Sequence, residues 1–131
     1  MKRPTPTVPV SWGELIDKIT ILEIKAERFE GDPRRQNVVN ELGHIRALAE
    51  DALAADSWLC ERKAALRTVN EALWEIEDQI RAKESAAAFD AAFIALARAV
   101  YKRNDERARI KKEINVHMAS EIVEEKSYKD Y

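Results

Sequence analysis

Apolar residues recur at intervals of three and four along most of this chain, the spacing that lines one face of an α-helix. Between Ser11 and Glu30 they are Trp12, Leu15, Ile19, Leu22, Ala26 and Phe29, while Ile21 and Ile24 point well away from that face. Ser11 and Glu14 form a capping box at the start, with Val10 and Leu15 placed as a hydrophobic staple. Gly31 supplies a left-handed residue at the end, and Asp32-Pro33 opens the next helix as N-cap and first-turn proline. That second helix is predicted over about 33–54 on Val38, Leu42, Ile45, Leu48 and Leu53. A third runs from a cap at Asp56-Ser57 to about Glu84 on Leu66, Val69, Leu73, Ile76 and Ile80. The fourth follows a turn within 85–90 and reaches at least Met118, carried by Phe89, Phe93, Leu96, Ala97, Val100, Ile114 and Met118. The short link between the last two makes them an antiparallel hairpin with arms about 40 Å long.

Composition strengthens this picture. Gly and Pro total seven in 131 residues, where average usage of about 12% would give about 16. All seven lie in the first 43 positions, so the remainder has neither of the usual chain breakers, which excludes a turn-rich β-sandwich or barrel. The expected fold is all-α, with four main helices and the N-terminal helix packed across the helix 3–helix 4 hairpin. Residues 1–10 read as an extended Pro-rich arm, 11–123 as a single helical domain and 124–131 as a tail without an apolar stripe that frays.

Charge and cysteine content narrow the function classes. The formal net charge is −2, so no global field steers the chain toward nucleic acid or an anionic membrane, and neither is expected as a partner. A single cysteine, Cys60, excludes an internal disulfide and suits a reducing compartment. The basic start is followed by prolines where a signal peptide needs an apolar run, and no segment has the length of a membrane span. A cytoplasmic location is expected. His44 and His117 fall on different helices without a second ligand pair, so no metal site and no cofactor are expected. With no glycine after Gly43, a phosphate-cradling loop there is excluded too.

Two features are candidates for function. A first helix with two apolar sides suggests that one of them meets a second subunit, which makes Ile21 and Ile24 candidates for a homodimer interface. The stripe of helix 4 continues through Asn104, Arg107 and Lys111 before turning apolar again at Ile114. Those polar residues are either paired in a buried site or spared by a stripe that rotates onto Ala108 and Ile110. On helix 3, Asn70, Trp74, Glu77 and Arg81 form one ribbon beside the core stripe. With Arg98, Tyr101, Asn104, Arg107 and Lys111 opposite, these side chains could enclose a pocket for a small anionic or sugar-containing ligand, the tryptophan ring supplying a stacking face. The competing reading is charge-complementary packing: Glu71 to Glu84 contains five acids against two basic residues, and Arg98 to Glu113 seven basic residues against three acids.

The acids Glu71, Glu75, Glu77 and Asp78 are similar in type to the carboxylates of all-α nucleotide pyrophosphohydrolases, but only Glu75 and Asp78 match that family's spacing. The opening helix has a likeness to helical chorismate mutases that carries no residue over. A fuller resemblance rests on the segment Val10 to Lys25, on Leu73-Trp74-Glu75-Ile76-Glu77-Asp78, on Phe93 to Tyr101 with Asn104-Asp105, and on Glu124-Glu125-Lys126-Ser127-Tyr128. Together these resemble a family of small, all-helical bacterial proteins of unknown function, of about this length. The resemblance implies a setting near glycosyltransferase and surface-polysaccharide proteins, places the Glu124 to Tyr128 segment within the family pattern, and transfers no catalytic residue. The expected function is a helical interaction or adaptor module that acts as a homodimer, with a protein partner and no catalytic residue in evidence. Ligand binding or turnover in the polar pocket is the alternative.

Overall fold

The structure, a computed structural model, describes residues 2–131, so Met1 of the expected arm lies outside the described residues. Its helices are α1 (Trp12–Arg28), α2 (Arg35–Ala55), α3 (Ser57–Ser85) and α4 (Ala91–His117), and no strand occurs among the described residues. α3 and α4 form the antiparallel hairpin, and α1 packs against all three other helices.

Each helix starts and stops for a local reason. Ser11 Oγ accepts the Glu14 amide at 3.1 Å, and Asp56 and Asp90 cap α3 and α4 by accepting the amides of Leu59 and Phe93. The second half of the expected capping box is not made. The Glu14 carboxylate instead takes the Lys111 ammonium at 2.6 Å. Gly31 has the left-handed φ of 79° after α1. Helix α2 begins at Arg35, two residues after Pro33, because the Asp32 carboxylate takes the Arg34 amide and the Asp32 carbonyl takes that of Arg35. The hairpin arms end in left-handed alanines, Ala87 and Ala119. In each, the next amide reaches back to close a Schellman motif, Ala88 N–H to Lys83 O and Ser120 N–H to Asn115 O, both at 2.9 Å.

The apolar core gathers Leu15, Ile16, Ile19 and Leu22 of α1 with Val38 and Leu42 of α2, Leu59, Leu66 and Val69 of α3, and Ile110 and Ile114 of α4. In α2 the stripe passes through Ala49, which is fully buried, and not through Leu48, which is 68% exposed. A 3.6-residue period continued from Leu42 and Ile45 lands on position 49, so the expectation of Leu48 followed side-chain size over geometry. Both sides of α1 are covered by the chain itself. Ile24 is 2% exposed and Ile21 half-buried, so α1 does not offer this pair as an open face to a partner.

The N-terminus of α1 is held by α4. The Trp12 amide donates to Ser120 Oγ at 3.3 Å and the Gly13 amide to Asn115 Oδ1 at 2.7 Å, satisfying two orphan donors of the first turn with residues a hundred positions away. Gly13 sits where any Cβ would collide with the Lys111 carbonyl and the Asn115 side chain. The glycine therefore sets how closely α1 approaches α4. Gly13→Ala is expected to cost about 1–3 kcal/mol of stability in urea unfolding through overpacking. An unchanged midpoint would contradict the close approach.

Candidate functional site

Asp17 is a carboxylate on the second apolar side of α1, with no solvent exposure. Such a group is tolerated only when every oxygen is hydrogen-bonded and its charge is matched. Arg107 of α4 meets it with a two-pronged guanidinium, Nε lying 3.0 and 3.1 Å from the carboxylate oxygens and an Nη bonding Oδ2 more closely still. Asn70 of α3 donates to Asp17 Oδ1 at 2.8 Å and to Thr20 Oγ1 at 2.9 Å. The Thr20 hydroxyl in turn donates to the Asp17 carbonyl at 2.7 Å. Lys111 stands one turn further along α4, its Nζ 2.6 Å from Glu14, 3.9 Å from Asp17 and 3.5 Å from Glu124. No buried side-chain polar atom among the described residues lacks a partner. The bond to Asp17 raises the Arg107 pKa above its ordinary value and keeps that guanidinium charged.

Above this cluster the chain turns back. Residues 121–131 have no regular structure and lie along α4 as a strap. Glu124 reaches Lys111, Glu125 reaches Lys112 at 3.3 Å, and the Tyr131 ring meets Tyr101 edge-on with centroids 5.0 Å apart. The Glu124 pKa is lowered by its hydrogen bond from Lys126 and by the Lys111 charge. A hydrogen bond to Asp105 raises that of Tyr131. Between strap and helix lies a cleft of about 1100 Å³ with Arg107 and Lys111 at its base, Asn104 and Tyr101 on the α4 side and Tyr128 and Tyr131 on the strap side. Six basic residues line it against four acids.

The residues singled out from sequence separate into three groups. Tyr101, Asn104, Arg107 and Lys111 line this cleft. Asn70 joins Arg107 and Lys111 from beneath, through Asp17. The others stand apart. Trp74 packs edge-on against Phe29 with centroids 6.2 Å apart and carries the Arg28 guanidinium over its ring, so it closes the seam between α1 and α3. Glu77 pairs with Arg81 one turn away on the same helix, and Arg98 is exposed and outside the lining. The acids of α3 are answered largely by other residues than the basic arm of α4: Glu71 by Arg67, Glu75 by Arg28 and Glu77 by Arg81.

Sequence reasoning missed Asp17, Glu14, Asn115 and Glu124. A signal for the first existed, since Asp17 precedes Ile21 and Ile24 at helical spacing and interrupts the second apolar side of α1 just as Arg107 and Lys111 interrupt the stripe of α4. His117 has structural surroundings, and His44 is exposed on α2. The His117 ring stacks on Trp58 with centroids 4.0 Å apart and its Nε2 meets Asp56 at 2.7 Å. That bond, with the Leu59 amide, lowers the Asp56 pKa. Among the described residues no three of His, Cys, Asp and Glu gather as a metal site would require.

A family model described as a family of unknown function (DUF6165) matches residues 7–131, thus spanning the buried cluster, the hairpin and the strap. No curated protein and no solved structure matches. The buried pair makes a stability prediction: Arg107→Met leaves Asp17 underpaired and is expected to cost about 3–5 kcal/mol in urea unfolding. A change within about 0.5 kcal/mol, as for an ordinary surface residue, would contradict the pairing.

Proposed function

We propose that this chain, which belongs to the family of unknown function DUF6165, binds a small anionic ligand carrying a sugar or other ring in the cleft between α4 and the C-terminal strap. One observation carries the reading: the anion that faces Lys111 from the cleft side is Glu124, on a segment without regular structure. On the protein side, Lys111 is already held by Glu14 and Arg107 by Asp17. A phosphate or carboxylate of a ligand can therefore take the position of Glu124 without uncovering a buried charge, exchanging one ion pair for another of similar strength. Tyr101, Tyr128 and Tyr131 offer ring faces and hydroxyls to the rest of the molecule, and Asn104 an amide. A sugar phosphate combines both chemistries and accords with the polysaccharide-related setting that the family resemblance implies. A cytoplasmic location, where the exposed Cys60 thiol stays reduced, fits such a ligand.

The test uses glucose 1-phosphate as the probe in heteronuclear NMR titration. Binding is expected to shift the resonances of residues 101–111 and 124–131, to tighten several-fold in Glu124→Gln, where the internal competitor has lost its charge, and to vanish in Lys111→Met. Circular dichroism confirms that each variant is folded. Absence of shifts at millimolar probe, or affinity indifferent to Glu124, would overturn the reading.

A further inference from the structure

The hairpin has two halves of different character. Near the cluster, α3 buries Leu59, Leu66, Val69 and Asn70 and α4 buries Ile110, Lys111, Ile114 and Asn115. From Glu71 to Arg109, across the turn, no residue is buried. That stretch still carries apolar stripes, Leu73, Ile76 and Ile80 on α3 and Phe93, Leu96 and Val100 on α4, all of them half-buried. Their alternation of three and four is the spacing of helices in bundles. Two helices side by side cover such a stripe only along their common seam, and the third and fourth sides stay open. At the tip Phe89 and Ile94 are 58% and 57% exposed. A shallow apolar groove between the two arms near the same tip is paved with alanines, including Ala82, Ala92 and Ala95, small enough for another helix to approach closely.

Charge identifies the occupant. Among the described residues, Asp78 and Glu84 on α3 and Arg98 and Lys102 on α4 take part in no ion pair. The outer hairpin thus has unmatched acid on α3 and, beside Asp105 that faces Tyr131 of the strap, an excess of unmatched base on α4, a surface complementary to itself. Asp78 and Arg98 also stand equally far along the chain from Ala88 in the turn. A two-fold axis along the hairpin therefore brings Asp78 of one copy level with Arg98 of the other, α3 lying antiparallel to the second copy's α4. The opposite pairing, α3 on α3, sets acid against acid and is disfavoured. We infer that the outer half of the α3–α4 hairpin is a homodimer interface, which a second copy of this chain completes as an antiparallel four-helix bundle. This goes beyond the ligand reading and does not depend on it; the two surfaces meet at Val100, which belongs to the α4 stripe and lines the cleft.

Sedimentation velocity of the full chain at micromolar concentration tests the inference. The wild type is expected to sediment at twice the 15.0 kDa chain mass. Phe89→Glu with Ile94→Glu should give monomers, and both are exposed in the single chain, so helicity by circular dichroism should be retained. Asp78→Arg and Arg98→Asp should each weaken the dimer at least several-fold, and the two together should restore it. A monomeric wild type, or a dimer insensitive to the apolar pair and to the charge exchange, overturns the inference.

Discussion

A carboxylate with no access to water must be paired, and in this protein that requirement falls on Asp17. Its partners come from two other helices, Asn70 on α3 and Arg107 on α4, with Lys111 at the margin, while Thr20 one turn along α1 accepts from Asn70 and donates to the Asp17 backbone carbonyl. An apolar core of leucines and isoleucines tolerates small rotations and slides of one helix on another. A fork of hydrogen bonds to one buried carboxylate does not. The cluster therefore fixes the register of α1 against the hairpin, and Gly13, which lets the α1 N-terminus touch the α4 backbone, completes that constraint a turn away.

The same cluster shapes the α4 surface above it. Arg107 and Lys111 are fixed from inside by acids on α1, so their outward faces stay cationic and rigid. The strap answers that field with Glu124. A carboxylate on an irregular segment is easier to displace than one on a helix, because fewer backbone hydrogen bonds tie it down. The outer hairpin follows a different logic, in which apolar stripes exist without enough neighbouring chain to bury them. One molecule thus presents a closed polar interior, a strapped cationic cleft and an open apolar arm, all built on the two long helices.

Much of the fold was legible because its signals are local. Caps at Ser11 and Asp56, the left-handed Gly31 and the spacing of apolar residues on α3 and α4 place each helix within a few residues. The site was only partly legible. Arg107, Lys111 and Asn70 stood out by occupying core positions with polar groups, but Asp17 was not recognised as their common partner, since pairing across ninety residues is set by packing. Trp74 drew attention by its chemistry and is used for packing against Phe29. Ile24 lies on an apolar side of α1 that the chain itself covers, and a helix wheel shows which side is apolar and not what covers it. The left-handed alanines at 87 and 119 left no trace in composition, because the usual glycine is missing there.

The central claim is that Asp17 and Arg107 act as one unit holding α1 to the hairpin, and a double-mutant cycle reads that coupling directly. Unfolding free energies of the wild type, Asp17→Asn, Arg107→Gln and the double variant should give a coupling of about 2 kcal/mol or more, the second substitution costing far less once the first is made. Additive effects, within about 0.5 kcal/mol, would contradict it.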